Sequence, residues 1–187
     1  GNGKYAVYPG NNLAQNIIPF VDGAFKLRNG TKMASAVMPY YTISYDQDPS
    51  GENVGNGFSH YIVQELLRDK YHYEGVVCTD WGIVNDYYKV YEHSGTPWGM
   101  ETKSPAEKRL KCFEAGVDQL GGASDNAISL EAYKLWEEKY GKESARKRFE
   151  ESAVRLLTNI FRVGVFENPY VDPQNAAAVV GCHEYVA

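Results

Sequence analysis

The residue of this sequence best suited to do chemistry is Asp80, which follows the short apolar run Val76-Val77-Cys78 and precedes Trp81. Apolar runs of this length predict a strand that is buried on both faces. A carboxylate at the carboxyl end of such a strand serves as a nucleophile, a base or a ligand. The alternative is that Asp80 only caps the following turn. Its position at the end of a strand does not by itself separate these two interpretations.

Helices and strands alternate around Asp80. A helix is predicted over residues 59–70 with Ser59 as its cap, and buried strands are predicted over residues 33–41 and 117–120. Strands that alternate with helices predict an α/β fold with a parallel sheet. The apolar positions on one face of the helix are Ile62, Val63, Leu66 and Leu67.

Four more helices are predicted. One spans residues 13–25 and bends at Pro19, and one begins at Ser104, where Glu107 completes a capping box, and ends at Gly116. Two others follow, and each ends at a glycine, Gly141 or Gly164. Between the strand that ends at Asp80 and the helix that begins at Ser104, residues 82–103 predict a long loop. Loops of this length inside a compact domain usually have a function. Residues 168–187 have the composition of a linker.

Composition limits the function. The chain has 187 residues, 43% hydrophobic and 23% charged, with a formal net charge of -5, which favours neither nucleic acid nor an anionic membrane as a partner. No apolar run approaches the roughly 20 residues of a membrane span. The 4 histidines and 3 cysteines lack metal-ligand spacing, so we expect no metal and no cofactor. The 15 tyrosines and 3 tryptophans suit stacking on sugar rings, although such side chains are also ordinary core material.

Three pieces of residues 36–88 form a pattern: Val37-Met38-Pro39-Tyr40-Tyr41, Glu65-Leu66-Leu67-Arg68 and Tyr73-Glu74-Gly75-Val76-Val77-Cys78-Thr79-Asp80-Trp81. With these pieces, residues 36–88 resemble glycoside hydrolase family 3, the β-glucosidase and β-xylosidase family. Two further pieces are similar to the family's last barrel strand, Ala115-Gly116-Val117-Asp118, and to its closing helix with the exit that follows, Ala153-Val154-Arg155-Leu156-Leu157 with Gly164-Val165-Phe166.

The resemblance implies a partial TIM-type (β/α) barrel, because a closed barrel takes about 250 residues. We expect the last three to four β/α units, that is, the C-terminal half of the family's N-terminal barrel domain. Residues 1–167 would form this partial domain, and residues 168–187 would lead toward a second domain. The chain lacks the features of a signal peptide at residues 1–9 and reads like the interior of a longer protein. A location typical of the family would be periplasmic or secreted.

The resemblance also implies roles for single residues. Asp80 matches the nucleophile of a retaining β-glycosidase, which hydrolyses terminal β-linked glucose or related sugars by double displacement. Trp81 matches the neighbouring aromatic residue that stacks on sugar, and Tyr41 matches a tyrosine that lines the sugar subsite, with Met38 in the same strand. For Trp81 and Tyr41 the alternative is packing at the barrel mouth. Asp80 has to stay ionised, so we expect hydrogen-bond donors around it.

The sequence also departs from the family. The Lys-His pair that grips the sugar is absent, and the family's acid/base comes from a second domain or a distant loop. We therefore expect the isolated chain to hydrolyse no β-glucoside at a useful rate, and a non-catalytic sugar-binding or assembly fragment is the alternative. Open sheet edges would be covered by the remainder of the same enzyme or by a second copy. An α/β enzyme that uses Asp80 as a metal ligand is disfavoured, because Asp118 lies inside its predicted strand.

Overall fold

The computed structural model describes residues 3–85 and 97–182. Its strands are β1 (Tyr5–Ala6), β2 (Ala36–Val37), β3 (Ile43–Ser44) and β4 (Val76–Val77). Its helices are α1 (Leu13–Asn16), α2 (Pro19–Ala24), α3 (Asn56–Phe58), α4 (Tyr61–Lys70), α5 (Pro105–Ala115), α6 (Asn126–Tyr140), α7 (Lys142–Arg162) and α8 (Pro173–Val179). No helix within these described ranges is both long enough and apolar enough to cross a membrane.

The strands form two small parallel sheets. β1 pairs with β3, and β2 pairs with β4 so that Ala36 lies opposite Val76. A single parallel bridge from Cys78 to Gln119 extends the second sheet by one position. The predicted parallel α/β arrangement is confirmed, but the sheets are open, and the described residues form no closed barrel.

The predicted strands over residues 33–41 and 117–120 are too long. The ladder between β2 and β4 covers two residue pairs, and its continuation consists of single hydrogen bonds, such as the one that the Asp80 amide donates to the Pro39 carbonyl (3.2 Å). Pro39 has no N–H to donate, which limits a regular ladder at that position. Apolar composition predicted that these segments are extended, but the number of hydrogen bonds depends on neighbours that are distant in sequence.

The helices with strong end signals lie where the sequence places them. The Ser104 hydroxyl accepts a hydrogen bond from the Glu107 amide (3.2 Å), the Glu107 carboxylate accepts one from the Ser104 amide (2.8 Å), and Gly116 ends α5 at φ 104°. Gly141 separates α6 from α7. The helix predicted to begin at Ser59 begins at Tyr61 and is wound as a wider π-helix.

The tail predicted to be irregular contains a helix, α8. The Asp172 carboxylate caps it by accepting a hydrogen bond from the Gln174 amide (2.9 Å), and Pro173 occupies the first helical position. An Asp-Pro pair can begin a helix, because Asp is a good N-cap residue and Pro is favoured at the first helical position. From the sequence, this segment was interpreted only as a linker.

A buried charge cluster joins β4 to two helices. The Asp118 side chain is 0% exposed, and its Oδ2 atom accepts hydrogen bonds from the Val77 amide (3.0 Å) and from Arg68 (2.7 Å). Its Oδ1 atom accepts from Ser152 (2.7 Å) and from Arg155 (2.9 Å). Because α4 carries Arg68 and α7 carries the other two donors, one carboxylate fixes both helices against β4.

Candidate active site

Asp80 lies three residues beyond β4, where the paired backbone segments separate. The Thr79 amide donates to the Gln119 carbonyl (2.9 Å), and the Asp80 amide donates to the Pro39 carbonyl (3.2 Å). Hydrogen bonds therefore hold the backbone at Asp80 between two extended segments. One segment follows β2, and the other ends at Gln119. Asp80 as a whole is half-buried.

Two hydrogen-bond donors lie at this position. The Trp81 amide donates to Asp80 Oδ1 at 2.6 Å, and the Tyr41 hydroxyl donates to the Trp81 carbonyl oxygen at 2.5 Å. Burial, and secondly the negative charge of Asp80, raise the pKa of Tyr41 to about 12. Tyr41 therefore keeps its proton at neutral pH and remains a donor beside the carboxylate.

Trp81 presents its ring at the surface. Its side chain is 64% exposed, although a large aromatic side chain is normally largely covered in a folded domain. The Gly82 amide, just after it, donates to the Gly121 carbonyl oxygen (2.9 Å), so the backbone at Trp81 is fixed while most of the side chain faces solvent. A fixed and exposed aromatic ring is a surface on which a flat or ring-shaped ligand can stack.

Met38 lies in a groove. It is 56% exposed and lines this groove of about 700 Å³ together with α1, α2 and α4, and Asp80, Tyr41 and Trp81 do not line it. Val37, the residue before Met38, lines the same groove and also packs against the core. Hydrogen bonds thus link Asp80, Trp81 and Tyr41, whereas Met38 is placed by its contacts in the groove.

Gly121 and Gly122 were not recognised from the sequence as residues of the site. In the structure both glycines lie against the Trp81 ring. The pair of adjacent glycines was the available signal, since it marks a place where a backbone or a ring approaches closely.

Metal ligation is not supported at this position. Residues 3–85 and 97–182 contain no group of three or more His, Cys, Asp or Glu side chains that could hold a metal ion. His93 and His183 lie outside the described residues, as do residues 86–96 of the predicted functional loop.

Cys78, close to Asp80, has its pKa raised by burial and secondly by the negative charge of Asp80, so its thiol is a poor nucleophile.

An α/β chain with a carboxylate at a strand end beside an exposed aromatic ring is one of the arrangements found in sugar-cleaving enzymes, and comparison with known proteins gives the family. A scan against models of protein families finds no match. The chain is 37% identical over 195 residues to the periplasmic β-glucosidase/β-xylosidase of Dickeya chrysanthemi, covering 96% of this chain and 28% of that protein. It is 35% identical over 187 residues to the probable β-glucosidase C of Aspergillus flavus, covering 98% and 27%.

Among solved structures, the glycoside hydrolase family 3 β-N-acetylglucosaminidase from Paenibacillus sp. str. FPU-7 matches with a TM-score of 0.58 and 20% identity, over 90% of this chain and 28% of that one. This likeness concerns the fold. Together with the curated relatives it shows that the chain belongs to glycoside hydrolase family 3. The chain spans about 28% of the length of the Dickeya relative.

Proposed function

We propose that this chain supplies the nucleophile, Asp80, of a retaining β-glycosidase that acts on terminal β-linked glucose or a related sugar such as xylose. The observation that carries the proposal is the grouping of three side chains at one strand end, Asp80, Trp81 and Tyr41. The relatives at 37% and 35% identity are a β-glucosidase/β-xylosidase and a probable β-glucosidase, and their names support the choice of substrate class.

The proposed reaction has two displacements. In the first, an Asp80 carboxylate oxygen forms a bond to the anomeric carbon while the bond from that carbon to the leaving oxygen breaks. The leaving oxygen takes a proton from a second carboxylic acid, about 5–5.5 Å away in retaining enzymes. In the second, water attacks the anomeric carbon and gives a proton to that second carboxylate, the ester bond breaks, and Asp80 is again a carboxylate.

The residues around Asp80 fit this sequence of steps. The hydrogen bond from the Trp81 amide at 2.6 Å fixes the orientation of the carboxylate, so that less freedom is lost when it attacks. Tyr41 keeps its proton at neutral pH, and the hydrogen bond from its hydroxyl to the Trp81 carbonyl oxygen holds the backbone that carries the indole. Trp81 offers an exposed ring against which the C–H face of a sugar packs.

The second carboxylate belongs, in this proposal, to the part of the enzyme outside the chain. The isolated 187-residue chain should then hydrolyse no β-glucoside at a useful rate. The second candidate function is a fragment that binds sugar without catalysis. The observation that favours this candidate is that Asp80 Oδ1 accepts a hydrogen bond from the amide of the very next residue, as a carboxylate that merely caps a turn would do.

The test is covalent trapping. A 2-deoxy-2-fluoro-β-glucosyl fluoride carries an activated leaving group, so it reacts without the second carboxylic acid and leaves a long-lived glycosyl-enzyme. Intact mass followed by peptide mapping should place one fluoroglucosyl group on Asp80, and Asp80→Asn should abolish the label. A folded wild-type chain that gains no label would favour the non-catalytic candidate.

A partner is also part of the proposal. Among the described residues β2 pairs only with β4, so its other edge is open, and Ala36 and Met38 line the groove of about 700 Å³. We propose that the remainder of the same enzyme, or a second copy of the chain, covers this open edge. Sedimentation of the chain should show self-association that disappears when the longer protein is used; a well-folded monomer at high concentration contradicts this.

A further inference from the structure

The turn that follows Gln119 lies directly against the Trp81 indole. A Cβ atom built on Gly122 would lie 2.6 Å from Trp81 Cδ1 and 3.0 Å from Nε1, and one built on Gly121 would lie 2.8 Å from Cε3. Any side chain at either position would therefore displace the indole. Gly122 lies against the five-membered ring and Gly121 against the six-membered ring, so the two glycines together contact the indole along its length.

The same turn is fixed to the backbone that carries Asp80 and Trp81. The Gly121 amide donates to Thr79 Oγ1 at 2.8 Å, and the Gly82 amide donates to the Gly121 carbonyl at 2.9 Å. Thr79 is 0% exposed, so the first of these hydrogen bonds is made without competition from water. The glycines and the segment from Thr79 to Gly82 thus form one unit with a defined spacing.

We propose that Gly121 and Gly122, called the glycine turn from here on, are positioning residues for Trp81. The glycine turn supports the indole from one side and leaves its exposed part, 64% of the side chain, as the surface on which a sugar ring stacks next to Asp80. This inference rests on the role given to Trp81 in the proposed function. In addition, the orientation of the Trp81 indole depends on Gly121 and Gly122, about forty residues away in sequence, because neither has a side chain that would displace the ring.

Gly122→Ala is the sharper of the two possible substitutions. At Gly121 a Cβ would also approach the Thr79 carbonyl oxygen to 2.4 Å, so a side chain there disturbs the backbone. At Gly122 the three nearest atoms all belong to the Trp81 indole. Gly122 has φ +66°, which costs an alanine some strain on its own. Gly30→Ala is the matched control, because Gly30 has φ +62° and nothing within 4 Å of its built Cβ.

The first measurement is ¹⁹F NMR of the full chain labelled with 5-fluorotryptophan. The resonance that disappears in Trp81→Phe identifies Trp81. Gly122→Ala should shift that resonance and leave those of Trp98 and Trp136 in place, and Gly30→Ala should shift none. An unmoved Trp81 resonance in a folded Gly122→Ala chain would overturn the proposal, and so would an equal shift in the Gly30→Ala control.

The second measurement is the rate of covalent labelling by the 2-deoxy-2-fluoro-β-glucosyl fluoride. Gly122→Ala should slow labelling about 10- to 100-fold, the loss expected when a substrate-contacting group is displaced by about 1 Å. In a Trp81→Ala background, where the indole is gone, Gly122→Ala should change the rate no further. Equal losses in both backgrounds would show that the glycine turn does not act through Trp81. The double variant also removes the clash, so it serves as the folded reference if Gly122→Ala alone is unstable.

The two measurements separate failure of this inference from failure of the proposed function. If the wild-type chain gains no label but the Trp81 resonance shifts in Gly122→Ala, the glycine turn still positions the indole and the catalytic role is what fails. If labelling occurs and is equally fast in Gly122→Ala, Asp80 acts as proposed and the positioning role is wrong.

Discussion

Two aspartates lie close to β4 in environments that differ in almost every respect. Asp80 follows the strand by three residues, half-buried, with the amide of its neighbour on Oδ1 and an exposed indole beside it. Asp118 contacts Val77 inside the strand and is 0% exposed. An aspartate can therefore serve as a reactive group at the end of a strand or as a buried structural anion beside it. Its surroundings determine which of these roles it has.

Charge balance is the physical basis of the difference. Two arginines, Arg68 and Arg155, donate directly to Asp118, and Arg148 lies 3.6 Å from it. Burial lowers the pKa of Arg68 and of Arg148, an effect that the carboxylate opposes. Within residues 3–85 and 97–182, Asp80 forms no ion pair. A carboxylate already paired with cations is stabilised in its resting state, whereas one without a cation is available to attack.

The largest effect on stability should come from Asp118. Asp118→Asn removes the charge that compensates three arginines, and breaking a buried pair in this way costs about 3–5 kcal/mol of unfolding free energy. Asp80→Asn should change it by no more than about 0.5 kcal/mol, as for a substitution outside a buried network. Urea denaturation of the two variants measures both values.

Asp125→Ala provides a control for the Asp118 prediction. Its carboxylate caps α6, and loss of such a cap costs about 1 kcal/mol. If Asp118→Asn were no more destabilising than Asp125→Ala, the arginine cluster would not be what fixes α4 and α7 against β4.

A smaller effect is expected at Thr79, which supports the site through a neutral hydrogen bond. Thr79→Val keeps the shape of the side chain but removes the acceptor of the Gly121 amide, and a buried unpaired N–H costs about 1–3 kcal/mol. Thr79→Ser keeps the acceptor and should lose less. Urea denaturation with both variants tests this, and equal losses would assign the role of Thr79 to its methyl group rather than its hydroxyl.

Local signals in the sequence predicted most of the helices. Ser104, Glu107 and Gly116 define α5 because caps act within a few residues, and the structure has them in those roles. The length of β2 was overestimated, because the length of its ladder depends on Pro39 and on a partner strand forty residues away in sequence.

At the candidate site, the family resemblance implied Asp80, Trp81, Tyr41 and Met38, and the structure links the first three by hydrogen bonds. The sequence could not predict that Gly121 and Gly122 contact the Trp81 ring, because forty residues separate them from it. The two segments meet only after folding, through the bridge between Cys78 and Gln119 and the hydrogen bonds that Gly121 forms with Thr79 and Gly82. The buried arginines around Asp118 were not predicted for the same reason, since three separate helical positions meet only after folding.

The last effect we predict is a pH dependence at Tyr41, which appears only in alkaline solution. Its pKa is about 12 in the folded chain against an ordinary value of 10.0, so the unfolded chain loses this proton first. The stability contributed by the protonated hydroxyl is therefore complete below pH 10 and is lost as the pH rises from 10 to 12. Thermal unfolding of Tyr41→Phe should show a shallower decline over that interval than the wild-type chain, whereas Tyr170→Phe, at an exposed position, should parallel the wild type.

The same titration tests the link between Tyr41 and Asp80. Burial is the first cause of the raised pKa of Tyr41, and the charge of Asp80 is the second. Asp80→Asn removes only the second cause, so its decline between pH 10 and 12 should lie between those of the wild-type chain and Tyr41→Phe. A decline identical to that of the wild type would mean that the two side chains do not interact. Tyr41 would then be a packing residue near the strand end rather than a donor held next to the carboxylate.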